Sequence, residues 1–330
     1  MTSARLGEFD FIRDVLAPLA GDGPPAFGLT DDAAAFLSPP GQDLVISTDM
    51  IVQGRHFLDD DPADAVARKL IRVNLSDLAA KGAEPVGLCL SIAWPDAAPA
   101  ETLTEFARGL ADDLGACGLT LWGGDTTATG GAWTLSATVF GLCPQGRMLR
   151  RRGARVGEGV FVTGTIGDGG LGLRAARGEA LGLSAPDQAA LADRYRCPRP
   201  RLGFIAAHRE TVSAGLDVSD GLIADLGHLS EQSGVRLRLD LERLPLSEAA
   251  EGWLTTQPDP LAARRALATA GDDYEIAFTA PLEAEANLRT HAAGLDLRVT
   301  RIGTVEAGAG VDVRFAGAKL AVDAPGFKHF

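Results

Sequence analysis

Cysteine is scarce in this chain, with four in 330 residues. Cys89, Cys117, Cys143 and Cys197 are dispersed and form no C-x-x-C pair. That spacing argues against a disulfide framework or a zinc knuckle and favours core thiols in a reducing compartment. Histidine is also sparse. The five residues show neither H-E-x-x-H nor any other zinc spacing. Positive charge is short as well: 31 Lys and Arg face 44 Asp and Glu, a formal net charge of -13. So acidic a surface repels nucleic acid and anionic lipid, which excludes both as natural partners. Phosphate ligands remain open, because bound cations convert an acidic pocket into an anion site. Long hydrophobic runs are missing. The longest, residues 86–94, is about half the length that crosses a bilayer. The first residues lack a basic stretch followed by an apolar block, so no signal peptide is expected and the expected location is cytoplasmic. No G-x-x-x-x-G-K-[ST] string and no G-x-S-x-G elbow occur. No repeat of fixed period or low-complexity tract is present.

What is present is an ordinary globular balance: 46% hydrophobic and 23% charged residues, in a length sufficient for two domains. The most telling stretch is LVISTDMIVQGRHF, residues 44–57. Leu44, Val45 and Ile46 read as a buried strand. Polarity changes at Ser47-Thr48-Asp49, where the strand is expected to end and place hard oxygens at a sheet rim. Open α/β sheets bind ligands there, and hard oxygens suit magnesium, which suits phosphates. His56 follows Gly54 and can face the same rim. The plainer alternative is that Asp49 caps a loop and His56 lies on the surface.

Along the chain, residues 6–20 carry apolar side chains at helical spacing and predict an amphipathic first helix. A turn with two carboxylates, Asp31 and Asp32, precedes the 44–57 stretch. Asp61-Pro62 marks a helix start that runs to about Lys81. Asn74, Ser76 and Asp77 lie within its apolar pattern, where a carboxylate is costly unless paired or metal-bound. Residues 86–93 read as a strand and 99–116 as a helix. A strand at 119–122 then leads into a turn, Gly123-Gly124-Asp125-Thr126-Thr127, and 133–142 alternates as a half-buried strand. A boundary falls at the charged, glycine-rich RRRGARVGEG, residues 150–159. The division is therefore 1–150 and 151–330. Strands and helices alternate again downstream. Among them are a helix at 200–213, a strand 216–218 entering Ser219-Asp220-Gly221, and two helices over 247–270. Strands at 274–279, 297–305 and 311–322 complete the pattern.

Acidic residues recur where strands give way to turns or helices: Asp31, Asp32, Asp49, Asp125, Asp217 and Asp220, with Asp77 from a helix. Aspartate is common in turns, so each alone says little. Convergence of several would require divalent cations. Magnesium takes few protein carboxylates per ion, so this many acids point to several ions. Gly123 and Gly124 allow close approach of phosphate to backbone N–H groups. Arg150, Arg151 and Arg152 form the strongest positive cluster, readable either as a phosphate contact or as a solvated linker.

The ordered strings DDAA (31–34), STDM…GRHF (47–57), NLSDLAAKGA (74–83), GGDTT (123–127), DVSDGL (217–222), GDDYE (271–275) and GFKHF (326–330) carry a resemblance. Together they resemble the thiamine-monophosphate kinase family, of the aminoimidazole-ribonucleotide synthetase superfamily. The likeness runs end to end and in order. It implies an α/β fold with mixed sheets, in which an N-terminal domain binds ATP and metal and dimerises and a C-terminal α/β domain completes the active-site cleft. It implies transfer of the γ-phosphate of ATP to thiamine monophosphate, the last step of thiamine diphosphate biosynthesis. By position, magnesium ligands would be Asp32, Ser47, Thr48, Asp49, Asp77, Asp125, Asp217 and Asp220. ATP would meet Gly124, Asp125, Arg151 and Ser219, and thiamine monophosphate would meet His56, Asp272 and Phe327. The cofactors implied are several Mg2+ ions, ATP as co-substrate and, as an option, K+. The partners implied are the two substrates and a second copy of the chain.

Some positions depart from the family pattern. Thr30 stands where glycine usually precedes the two aspartates, and Asp272 replaces a glutamate, shortening its reach by one methylene. Lys81 replaces a methionine, and Lys328 an acid or other residue. No strong general base is required for this chemistry, because a phosphate oxygen is already nucleophilic. Phe327 can stack on a cationic ring or simply cover a core edge. Two rival readings remain: another ATP-dependent enzyme of the superfamily, such as a ring-closing ligase, or a non-catalytic nucleotide-binding homologue. A selenide-activating enzyme or a hydrogenase-maturation dehydratase fits less well, for want of a reactive N-terminal or C-terminal cysteine.

Overall fold

The structure, a computed structural model, describes residues 8–96 and 98–327. Leu6, at the start of the expected first helix, and Lys328, His329 and Phe330 of the GFKHF string lie outside the described residues. The chain divides into two compact units. One comprises Met1–Leu78 and Ala83–Gly146, the other Ala79–Gly82 and Arg147–Phe330.

In the first unit the expected helix at 6–20 is not one regular α-helix. Regular helix α1 covers Glu8–Phe11. The next turn widens so that Ala17 N–H bonds to Ile12 O, and a tight turn over Ala17–Leu19 follows. Pro18 explains the break, since it has no N–H to donate and its ring crowds the preceding turn.

Strand β1 (Gln42–Val52) corrects the expectation for the 44–57 stretch. The strand does not end at Ser47. It pairs antiparallel with β4 (Thr134–Pro144) along its whole length, Gln42 opposite Pro144 and Val52 opposite Thr134. Ser47, Thr48 and Asp49 therefore lie mid-strand. Alternation sends Val45, Ser47, Asp49 and Ile51 to one face and Leu44, Ile46, Thr48 and Met50 to the other.

Helix α2 (Ala63–Lys81) follows, then β2 (Glu84–Pro95), α3 (Ala100–Cys117) and β3 (Thr120–Thr129). Among the described residues the sheet order is β1-β4-β2-β3. Asp113 of α3 holds Arg72 of α2 through two hydrogen bonds, 2.6 and 2.8 Å. The inner face is filled by aromatic rings: Trp94 stacks on Trp133 at 5.0 Å and meets Phe106 edge-on at 5.3 Å.

The second unit is built on a mixed sheet with the order β11-β10-β7-β9-β5-β8-β6. Its elements in chain order are β5 (Gly159–Thr163), α4 (Asp168–Ala176), α5 (Ala185–Arg196), α6 (Phe204–Ala207), β6 (Ala214–Val218), α7 (Leu222–Ser233) and β7 (Arg236–Asp240). After these come α8 (Glu248–Thr255), α9 (Pro260–Thr269), β8 (Glu275–Ala280), α10 (Glu285–Gly294), β9 (Val299–Glu306), β10 (Gly310–Phe315) and β11 (Ala318–Lys319). Strands β5, β6 and β8 are buried at every position. Such continuous runs belong to a sheet covered on both sides. One apolar core gathers Leu171, Leu191, Leu226 and Trp253 with the strands, and another gathers Phe161, Phe204, Phe278 and Leu288. The helix expected over 200–213 shrinks to α6. The strand expected over 311–322 is interrupted at Gly317, where φ is +80°.

Candidate active site

Two helix residues explain why polar atoms sit in the middle of β1. The Asp49 N–H donates to Asn74 Oδ1 at 2.8 Å, and Asn74 Nδ2 donates to Leu70 O at 2.8 Å. One turn further along α2, Asp77 accepts a short hydrogen bond from the Ser47 hydroxyl. The i, i+3 spacing of Asn74 and Asp77 matches the i, i+2 spacing of Ser47 and Asp49 across the helix–sheet contact. A half-buried carboxylate is thereby held against a hydroxyl rather than left in an apolar setting.

Thr48 sits apart from this group. Its side chain lies on the opposite face, where Oγ1 donates to Ala137 O and accepts from Thr138 Oγ1, both at 3.1 Å. His56 ends the stretch. Its Nδ1 accepts the Val52 N–H at 3.0 Å, so in the neutral ring the proton is on Nε2.

Asp31, Asp32, Gly123, Gly124 and Asp125 line one cleft of this unit, beside Ile12, Leu16, Leu90 and Trp122. The first carboxylate is partly engaged, as Asp31 Oδ1 accepts the Asp32 N–H at 2.8 Å. Gly123 and Gly124 are not in a turn, as expected, but within β3, which pairs parallel with β2. A Cβ on Gly124 would lie 1.8 Å from Leu90 O, so glycine is required for the strands to approach. At the edge of the sheet, β3 leaves alternate backbone groups outside the ladder.

In the second unit the sequence-marked residues come together through backbone hydrogen bonds. Asp217, buried near the end of β6, leads to Ser219 and Asp220. The Asp272 N–H donates to Ser219 O at 2.9 Å and the Phe327 N–H to Asp220 O at 2.8 Å. Asp272 and Tyr274 have φ of +67° and +51°. Aspartate tolerates this left-handed backbone better than most side chains, a local reason for Asp at position 272. Tyr274 Oη donates to Asp272 Oδ1 at 3.2 Å. Around Arg151 the backbone is anchored by hydrogen bonds. The Gly215 N–H donates to Arg150 O at 3.0 Å and Ser233 Oγ to Arg151 O at 3.1 Å. The Arg151 side chain is exposed.

Two residues here escaped the sequence reading. Asp225 accepts the N–H groups of Ser219 and Asp220 on one oxygen, both at 3.1 Å. Burial, reinforced by the Asp220 charge, pushes its carboxyl up to about 7, while these hydrogen bonds and Arg151 pull the other way. Its signal was legible: Asp225 lies on the apolar stripe of Leu222, Leu226 and Leu229. Asp273 is fully buried and accepts the Gly167 and Gly169 N–H groups at 2.8 and 2.9 Å. Burial raises its carboxyl well above the ordinary carboxylate range. No sequence spacing marks it, because its partners are more than a hundred residues away.

Among the described residues no three His, Cys, Asp or Glu side chains converge on a preformed metal cage. The donors present are carboxylate and hydroxyl oxygens. That suits Mg2+, which keeps much of its water and takes only one or two carboxylates per ion.

The chain matches the AIR synthase related protein families, the N-terminal domain over residues 30–143 and the C-terminal domain over 155–316. A thiamine-monophosphate kinase of Caulobacter vibrioides is 46% identical over 323 residues, covering 98% of this chain and 90% of the relative. The crystal structure of the thiamine-monophosphate kinase from Stenotrophomonas maltophilia superposes with a TM-score of 0.79 at 35% identity, covering 88% of this chain and 91% of the other. AaThiL complexed with AMPPCP and TMP superposes with a TM-score of 0.77 at 30% identity over the full length of both chains. With both domains matched in order and near-complete coverage of its relatives, the chain belongs to the thiamine-monophosphate kinase family.

Proposed function

We propose that this chain is a thiamine-phosphate kinase, moving the γ-phosphoryl group of ATP directly and in line onto thiamine monophosphate to give thiamine diphosphate and ADP. The reaction is the last step of thiamine diphosphate biosynthesis. The observation that carries the reading is the backbone network of the second unit. There the proposed acceptor contacts Asp272 and Phe327 are hydrogen-bonded to Ser219 and Asp220, the proposed contacts for ATP and metal.

The acceptor phosphate is an anionic nucleophile, so no side chain need act as base. The work is alignment and charge neutralisation. His56 donates from Nε2 to the acceptor phosphate, its ring held by the Val52 N–H on Nδ1. Phe327, 54% exposed, offers an aromatic face to a cationic ring. Asp272, oriented by Tyr274, contacts the same substrate. Gly124, Asp125, Arg151 and Ser219 bind ATP. Asp32, Ser47, Thr48, Asp49, Asp77, Asp125, Asp217 and Asp220 are the proposed oxygen donors for magnesium, Thr48 by its place in the string alone, since its hydroxyl bonds Ala137 O on the other face. Magnesium supplies charge neutralisation on the phosphates, and several ions are proposed, with K+ as an optional monovalent activator.

Residues 1–150 contribute ATP and metal contacts and the dimer surface, and residues 151–330 contribute the remaining contacts. The homodimer is supported by the outer face of β1, where Leu44, Ile46 and Met50 are 36%, 57% and 57% exposed. Leu142 and Phe140 stand opposite Leu44 and Ile46 on β4. An apolar sheet face of this kind fits a second copy of the chain. A cytoplasmic location without nucleic-acid or membrane partners agrees with the net charge of -13. Among the described residues, no helix is long and apolar enough to cross a membrane.

The reading is tested by incubating the protein with ATP, Mg2+, K+ and thiamine monophosphate and separating the products. Thiamine diphosphate and ADP are expected in equal amounts. Unchanged thiamine monophosphate would contradict the assignment.

A further inference from the structure

The tail of the chain does more than present Phe327. Gly326 sits so close to the Ser219–Asp220 turn that an added Cβ would lie 2.4 Å from Asp220 O and 2.6 Å from Ala224 Cβ. The first of these is a backbone atom, which cannot swing aside. That approach is what lets the Phe327 N–H reach Asp220 O at 2.8 Å. From the other side, Asp272 N–H holds Ser219 O, and Asp225 holds both N–H groups of the turn. The turn is thus fixed on three sides, and two of the three holders, Asp272 and Phe327, are residues assigned to the acceptor.

We propose that residues 326–327 form a clasp through which acceptor occupancy and magnesium–nucleotide affinity are coupled, with Gly326 as its positioning residue. The proposal rests on the kinase reading above. Acceptor docked on Phe327 favours the arrangement in which the tail N–H holds Asp220 O, and that arrangement fixes the peptide that carries Ser219 and Asp220. Ordering already imposed by the first ligand need not be imposed again by the second, so each favours the other. The coupling is reciprocal by thermodynamic necessity.

The test is calorimetric titration of Mg2+ with the non-hydrolysable ATP analogue AMPPCP, with and without saturating thiamine monophosphate. For the wild-type chain, acceptor is expected to tighten analogue binding by roughly 5-fold or more. In Gly326→Ala the ratio is expected to fall to about 1 while the melting temperature stays near wild type. A second pair guards against a disturbed fold. Phe327→Ala and Phe327→Pro both lose the ring, but only the proline lacks the N–H. Analogue affinity without acceptor is expected to be unchanged in Phe327→Ala and weakened in Phe327→Pro. Normal turnover with the same ratio in wild type and Gly326→Ala, or equal analogue affinity in the two Phe327 variants, overturns the clasp alone. A wild-type chain that bound the analogue but neither bound nor phosphorylated thiamine monophosphate would overturn the kinase reading and the clasp with it.

Discussion

The Ser47 hydroxyl donates to the Asp77 carboxylate, joining the middle of β1 to the last turns of α2. Both residues are proposed magnesium donors, and they reach each other from segments thirty positions apart. Replacing Asp77 with Asn keeps the shape and removes the charge. The Mg2+ concentration for half-maximal activity should rise roughly 10- to 100-fold in Asp77→Asn, and less in Ser47→Ala, since loss of such ligand support typically costs that much. A magnesium titration of activity checks this. An unchanged midpoint in Asp77→Asn removes the residue from the metal site.

Tyr274 orients Asp272 through a 3.2 Å hydrogen bond from its hydroxyl. Tyr274→Phe deletes that bond and keeps the aromatic ring. KM for thiamine monophosphate should rise roughly 3- to 10-fold with kcat nearly constant, in line with about 1 kcal/mol for one hydrogen bond. Steady-state kinetics with thiamine monophosphate varied reads the result. A fall in kcat at constant KM would instead tie Tyr274 to the transfer step.

Asp225 makes the metal-free protein sensitive to pH. Its carboxyl rises from 3.8 to about 7 on folding, through burial and the nearby Asp220. Between those values the folded state holds a proton that the unfolded state has released. The contribution of this group to stability is therefore fully present below about pH 4 and is lost as pH rises through about 7. The whole difference is on the order of 4 kcal/mol at most. Asp225→Asn keeps an oxygen for the two N–H groups and does not titrate. The stability of wild type minus that of Asp225→Asn, from urea denaturation in EDTA, should fall steadily from pH 4 to pH 8. A difference independent of pH would show that Asp225 is ionised throughout.

Gly124 stands where β2 and β3 approach too closely for any side chain. Gly124→Ala should destabilise the first unit by about 1–3 kcal/mol, as overpacking does, and weaken nucleotide binding with it. Denaturant unfolding and analogue titration measure both. Wild-type values for the pair would mean the strands separate without cost.

The residue types at the site were legible from the sequence, whereas their placement was not. Ser47, Asp49 and Asp77 could be marked because polar groups interrupted apolar patterns. The strand around Ser47 and Asp49 was expected to stop there, because a polarity change looks the same at a strand end and at a mid-strand position facing a polar helix surface. Asn74 and Asp77 supply that surface, and no local pattern in β1 records it. The same limit applies to Gly123 and Gly124, which resemble turn glycines but serve close strand pairing. Asp273 lies in the GDDYE string, but its role was not legible, because its partners are the distant Gly167 and Gly169 N–H groups. The alternating elements of the second unit were easier to read, since continuous apolar strands and capped helices each carry their own local signal.

The central claim is that the γ-phosphoryl group passes from ATP to the phosphate of thiamine monophosphate. The most direct measurement follows the label from ATP carrying radioactive phosphorus at the γ position, in the presence of Mg2+ and unlabelled thiamine monophosphate. The account predicts thiamine diphosphate labelled in its outer phosphate, one for each ADP formed. Label recovered as free inorganic phosphate, with thiamine monophosphate unconsumed, would contradict it.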